Sequence, residues 1–217
     1  MVPRDHASSP KKLARESIPL GITTSSKQIK AIEMYGLVHT SVRDMVLQNH
    51  GPTTWEQIRS TAGVGDEDFL AMKSYEDSII LNLVSAASET LQISPEECLK
   101  AFGQFWVLDT AAKHYREMID GFGSDIWALL ENLDHMHDRM SSTFHGYDPP
   151  SFFLENNDDG SYLLHYRSSR QGLTPFVIGL LNGLAIHFKT SVDIKIDEET
   201  LSADGQHTAF RITERNG

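Results

Sequence analysis

The sequence predicts an α+β domain, in which an N-terminal helical subdomain packs on a C-terminal four-stranded antiparallel sheet that carries a helix. Three observations lead there. Apolar residues recur at helical spacing from about residue 34 to about residue 144. The pattern changes at Pro149-Pro150, after which short alternating runs dominate. Those runs are interrupted once, by a helical stretch over 172–188, giving strand–strand–helix–strand–strand.

The elements follow in order. Leu37, Val38, Val42, Met45 and Val46 mark an amphipathic helix over 34–48, ended by Gly51-Pro52. Thr54 and Gln57 have capping-box spacing for a short helix that stops near Gly63. Ile79, Ile80, Leu83, Val84 and Ala87 give a helix over 75–91. Ser94-Pro95-Glu96-Glu97 combines an N-cap, a proline at the first helical position and a glutamate at the third, so a helix starts at 95 and runs to about 108. Helical spacing then continues to about 119, and Gly121 and Gly123 break it. Ser124 opens a helix to about 144. Strands are expected at 151–154, 162–167, 192–196 and 209–213, with turns at 156–160 and at Asp204-Gly205.

Composition narrows the function classes. The chain has 217 residues, 40% of them hydrophobic, which suffices for one domain with a sizeable core. No apolar run reaches membrane-spanning length, and no secretory leader is signalled, so the expected location is cytoplasmic, without membrane insertion. The lone cysteine, Cys98, excludes an internal disulfide and thiolate clusters, and fits a reducing compartment. The net charge is −11, yet residues 1–33 carry six basic side chains against three acidic ones, leaving −14 on the rest. An acidic body argues against nucleic acid as a partner. Residues 1–33, rich in Ser, Thr, Lys and Pro, read as a flexible basic tail before a domain over 34–214.

Two patterns hold the candidate chemistry. His137 lies four residues after Leu133 and three before Met140, so it shares their apolar stripe. His135 points roughly 200° away at ~100° per helical residue, so the two histidines do not chelate one ion. A buried imidazole needs partners for both nitrogens. Hydrogen bonds alone can supply them; a metal held by one histidine points to heme, whose macrocycle brings the other four ligands. Tyr166, Ser168 and Arg170 are spaced by two, so an extended segment presents two hydroxyls and a guanidinium on one side, suited to carboxylates such as heme propionates. Taken alone, the same spacing also describes the polar face of a surface strand.

Together these segments resemble the heme-nitric-oxide/oxygen-binding (H-NOX) family, related to the sensor domain of soluble guanylate cyclase. Met34-Tyr35-Gly36-Leu37-Val38 is similar to its opening, and Leu133-Asp134-His135-Met136-His137-Asp138 to its proximal-histidine segment. Pro149-Pro150-Ser151-Phe152 is similar to its proline loop against the heme, Tyr166-Arg167-Ser168-Ser169-Arg170 to its propionate signature, and Gly172 to Phe188 to the helix that follows. The resemblance spans about residues 34–214. It implies heme b between the helical part and the sheet, His137 as iron ligand, and Tyr166, Ser168, Arg170 and Pro150 around the cofactor. It implies a sensor rather than an enzyme: nitric oxide breaks the His137–iron bond, and a partner such as a histidine kinase, a diguanylate cyclase or a cyclase domain reads the change.

The resemblance also bears on the gas. Phe176 falls where oxygen-binding members carry a donor tyrosine, and Leu37, Val38, Val42 and Phe105 add apolar wall. Such a pocket favours nitric oxide, and carbon monoxide, over stable dioxygen. Trp106 falls at a distal position, and its indole N–H is a potential donor that leaves an oxygen sensor open. The other readings are a heme enzyme, such as a peroxidase or nitric-oxide dioxygenase, a metal-free helical interaction domain, and a mononuclear non-heme site, for which no helix presents the required ligands on one face.

Overall fold

Two three-residue strands, β1 (Glu33–Tyr35) and β2 (Ser74–Glu76), pair antiparallel with Tyr35 opposite Ser74. They are too short to show an alternation in the sequence. They lead directly into α1 (Gly36–Thr61) and α2 (Asp77–Leu91), which pack on one another. Gly36 is needed at this junction, because a Cβ there would fall 2.2 Å from the Leu70 carbonyl oxygen. These elements belong to a computed structural model that describes residues 33–65, 69–141, 148–202 and 204–215, all within one unit, Ala31–Gly217. The basic tail expected over 1–33 lies outside the described residues, apart from Glu33.

Helix α1 replaces the expected pair of separate helices. Its helical run is broken only at Gly51, whose φ of 82° suits glycine, and it resumes at once with Pro52, which fits a first helical turn. Thr54 therefore does not cap: its hydroxyl donates to the His50 carbonyl at 2.9 Å. Helix α3 (Pro95–Phe105) starts as the sequence predicts, with the Ser94 hydroxyl accepting from Glu97 N and the Glu97 carboxylate accepting from Ser94 N at 2.9 Å. It continues as a π-helical segment, Trp106–Ala111, then α4 (Ala112–His114) and α5 (Arg116–Phe122).

The helix expected over 124–144 is two, α6 (Ile126–Glu131) and α7 (Leu133–Ser141). Asp125, not Ser124, caps the first by accepting from Ala128 N at 2.9 Å. Asn132 makes the break: its side-chain amide donates to the Ala128 and Phe122 carbonyls, while its own N–H turns to the Leu129 carbonyl.

The sheet is formed by β3 (Ser151–Asn156), β4 (Tyr162–Arg167), β5 (Val192–Asp197) and β6 (His207–Glu214), antiparallel throughout, in the order β3-β4-β6-β5. Leu164 stands opposite Leu154 and Phe210, and Ile212 opposite Tyr162 and Ile194. The inward face packs with α6 and α8 (Thr174–His187) into one core, where Leu164, Phe210 and Ile212 are fully buried, each stabilising by roughly 1.5–3 kcal/mol. A second core joins α1, α2 and α3. The two are connected by α3 against α8, where Gly103 and Gly179 let the backbones touch: a Cβ on either would sit 2.2 Å from a carbonyl oxygen of the other helix. Among the described residues no helix is long and apolar enough to cross a membrane.

Candidate functional site

Between these cores lies a cavity of about 310 Å³, lined mostly by apolar side chains. Trp106 borders both cores, which places the start of the π-helical segment at the centre of the molecule. Nearly all the residues singled out from the sequence line this cavity: His137, Pro150, Tyr166, Ser168, Arg170, Leu37, Val38, Trp106 and Phe176.

His137 has one ring nitrogen committed to the backbone. Its Nδ1 lies 2.9 Å from the Leu133 carbonyl oxygen. A carbonyl only accepts, so Nδ1 carries the hydrogen and Nε2 keeps the lone pair. Burial pushes the ring below the ordinary imidazole pKa, outweighing the Leu133 carbonyl and the charges of Asp134 and Asp138. The neutral ring stacks on Phe152 with centroids 5.5 Å apart and 21° between planes. Asp134, which the sequence reading gave no role, accepts from the Phe152 backbone N–H and fastens α7 to β3. His135 is exposed on the other side of the helix.

The polar group comes from the end of β4. The strand stops at Arg167, so Ser168 and Arg170 sit in a bend rather than on the extended segment expected. The bend still aims all three side chains at the cavity. It is closed by the Arg170 N–H donating to the Ser168 hydroxyl at 3.1 Å, and that hydroxyl also bonds Tyr166. Burial raises the Tyr166 phenol pKa and keeps its proton in place. Arg170 donates through Nε to Asp77 at 3.0 Å and through Nη1 to the Asp148 carbonyl at 2.9 Å. The link to Asp77, at the start of α2, ties the bend to the helical half; no sequence pattern signals it.

On the α1–α3–α8 side the lining is aromatic and aliphatic. Phe102 packs on Phe176 at 5.2 Å and meets Trp106 edge-on at 6.2 Å and 78°. Two expectations need correction here. Val42 does not line the cavity: one helical turn beyond Val38, it is carried into the α1–α2–α3 core. Phe105 does not line it either. Phe102, three positions earlier on α3, takes that place, and Tyr35 and Tyr115 join the lining unanticipated.

One neutral histidine, a hydroxyl–guanidinium cluster and an apolar slot fit a flat cofactor that brings four metal ligands and carboxylates of its own. A bare metal ion fits less well, since among the described residues no group of three or more His, Cys, Asp or Glu side chains is placed to hold one.

Comparisons with known proteins agree with this chemistry. A family model described as Haem-NO-binding matches residues 35–196. The soluble guanylate cyclase gcy-35 of Caenorhabditis elegans is 32% identical over 190 residues, covering 83% of this chain and 28% of that protein. The guanylate cyclase soluble subunit beta-2 of Rattus norvegicus is 30% identical over 125 residues, 55% of this chain and 18% of that protein. The chain thus spans well under a third of these relatives' length. An H-NOX domain from Shewanella oneidensis, solved in its Fe(II)CO ligation state, superimposes with a TM-score of 0.72 at 26% identity, over 85% of this chain and 100% of that one. An H-NOX protein from K. algicida, solved as Fe(II) unliganded, shares the fold with a TM-score of 0.73 at 22% identity, over 85% and 98% of the two chains.

Proposed function

The chain belongs to the Haem-NO-binding family, and from that premise we propose that it is a heme-based sensor of nitric oxide whose sensing domain is residues 34–214. The observation that carries the reading is His137, whose Nδ1–H is fixed on the Leu133 carbonyl so that Nε2 keeps its lone pair at the lining of the cavity. When bound, heme b supplies an iron atom with a coordination position open to a diatomic gas. His137 holds the iron. Tyr166, Ser168 and Arg170 donate to the propionates, and the charged fork of Arg170 gives the strongest of these bonds. Pro150 and Phe152 would add apolar contact to the heme from the cavity lining.

Leu37, Val38 and Phe176 offer no hydrogen-bond donor. Stable dioxygen binding needs one, and nitric oxide and carbon monoxide need it much less, so this wall favours the latter two. Trp106, edge-on to Phe102, is read as packing. Helix α7 is short, and Asp134 fastens it to β3. His137 would couple a bound iron to α7, and a partner would read a shift of α7 against the sheet. The relatives point to a cyclase domain as that partner; a histidine kinase or a diguanylate cyclase would serve the same role.

Absorption spectra of the reduced protein under argon, then air, then nitric oxide test the reading. A five-coordinate ferrous heme that ignores air and stays five-coordinate with nitric oxide is expected. A stable oxygen spectrum would contradict the selectivity, and a colourless protein that takes up no added heme would contradict the whole reading.

A further inference from the structure

His39 sits one turn into α1 and is completely buried. Its ring is stacked on Phe69 at 4.7 Å and packed against Tyr75 at 5.3 Å. Its Nδ1 lies 3.3 Å from the Tyr35 carbonyl oxygen. That oxygen only accepts, so Nδ1 carries the hydrogen and Nε2 of the neutral ring is an acceptor. Among the described residues Nε2 has no hydrogen-bond partner, and the other buried side-chain atom in that position is Asp77 Oδ1. Asp77 lies two positions beyond Tyr75, whose ring packs against His39, and its charge favours the protonated ring. Its second oxygen, Oδ2, accepts from Arg170 Nε at 3.0 Å, in an ion pair whose side chains are 11% and 21% exposed.

Two buried acceptors cannot satisfy one another, and leaving both bare carries the desolvation cost of each. One donor between them removes both costs. We propose that His39 and Asp77 share one such hydrogen-bond donor and act as a positioning pair behind the clamp, fixing how Arg170 is presented to the cofactor's carboxylates. The inference rests on the reading of Arg170 as a propionate ligand. At neutral pH the donor is a water molecule, because burial disfavours the charged ring. The direction of the effect follows. With Oδ1 satisfied, Asp77 orients Arg170 without claiming it. With Oδ1 bare, the carboxylate draws the guanidinium toward itself and weakens its hold on the propionates.

The test is the rate of heme transfer from the holoprotein to excess apomyoglobin. His39→Phe keeps the ring stacking and removes both nitrogens; it is expected to speed transfer about fivefold, the worth of one buried hydrogen bond. His39→Gln, whose amide N–H can donate to Asp77, is expected to stay within about twofold of the parent chain. In an Asp77→Asn background His39→Phe is expected to add nothing. A parent-like rate for His39→Phe, or an undiminished effect in the Asp77→Asn background, overturns the proposal. Arg170→Met separates the two readings: if it does not speed transfer, the clamp itself is wrong. Imidazole nitrogen resonances of the parent chain give a second measurement free of folding effects. A protonated Nδ1 with a hydrogen-bonded Nε2 supports the pair, and an unbonded Nε2 refutes it.

Discussion

On the side of α7, β3 and the β4 bend, the cavity is lined by groups with defined bonding roles: a histidine of fixed tautomer, a protonated phenol, a serine and an arginine held by two acceptors. Where α1, α3 and α8 meet it, Leu37, Val38, Phe102 and Phe176 contribute shape and no donor. The first region is held by hydrogen bonds between elements, such as Asp134 to β3 and Arg170 to Asp77; the second by helices in backbone contact at Gly103 and Gly179. The contrast separates two tasks. On the proposed function, the directed donors would hold a charged cofactor, and the wall of Leu37, Val38, Phe102 and Phe176 would bear on which gas it binds.

Changes on the packing side should act first on the fold. Gly179→Val would place a side chain 2.2 Å from the Lys100 carbonyl oxygen, against backbone that cannot yield. A loss exceeding about 4 kcal/mol is expected in urea unfolding, enough to abolish a marginal domain. Changes on the bonding side should weaken the cofactor more than the fold. Arg170→Met is expected to speed heme loss about tenfold, since hydrogen bonds to charged groups are worth roughly 1.5–3 kcal/mol. Phe176→Tyr crosses the boundary between the two tasks by adding a donor to the apolar wall. Oxygen affinity is expected to rise about fivefold or more in gas titration, with little change for carbon monoxide. An unchanged oxygen affinity would show that Phe176 does not face the bound gas.

The smallest effect expected is at a helix end remote from the cavity. Ser94→Ala should cost about 1 kcal/mol in urea unfolding. Glu97, which accepts from the Ser94 N–H and hydroxyl, is held below its ordinary carboxylate range by those bonds. A carboxylate with a lowered folded-state pKa stabilises above its unfolded value, near 4.5, and that contribution disappears as pH falls through the folded value. The stability gap between Ser94→Ala and the parent chain should therefore narrow below pH 4.5. A gap that widened on acidification would reverse the sign.

The same contrast explains what the sequence disclosed. Local patterns were legible: the Ser94 cap, the strand alternations and the stripe carrying His137 are all set within a few residues. The cavity was legible chiefly because its signature residues cluster in short segments of the chain. Interactions between distant segments were not. The Arg170–Asp77 bond spans 93 positions, and nothing near either residue announces it. Nor could periodicity show that Asn132 would cap a turn from within and split one helix into two, that three-residue strands would align α1 with α2, or that Val42 would be carried past the cavity while Phe102 replaced Phe105. Each depends on where a side chain ends up, which residue spacing does not encode.

The most direct test of the central claim is the absorption spectrum of reduced His137→Gly beside the parent chain, before and after adding free imidazole. The account predicts that the substitution removes the histidine-ligated spectrum, or the bound heme altogether, while the far-ultraviolet circular dichroism stays native, and that imidazole restores the spectrum. A His137→Gly protein that binds heme with the parent spectrum would place the iron on another residue and contradict the account.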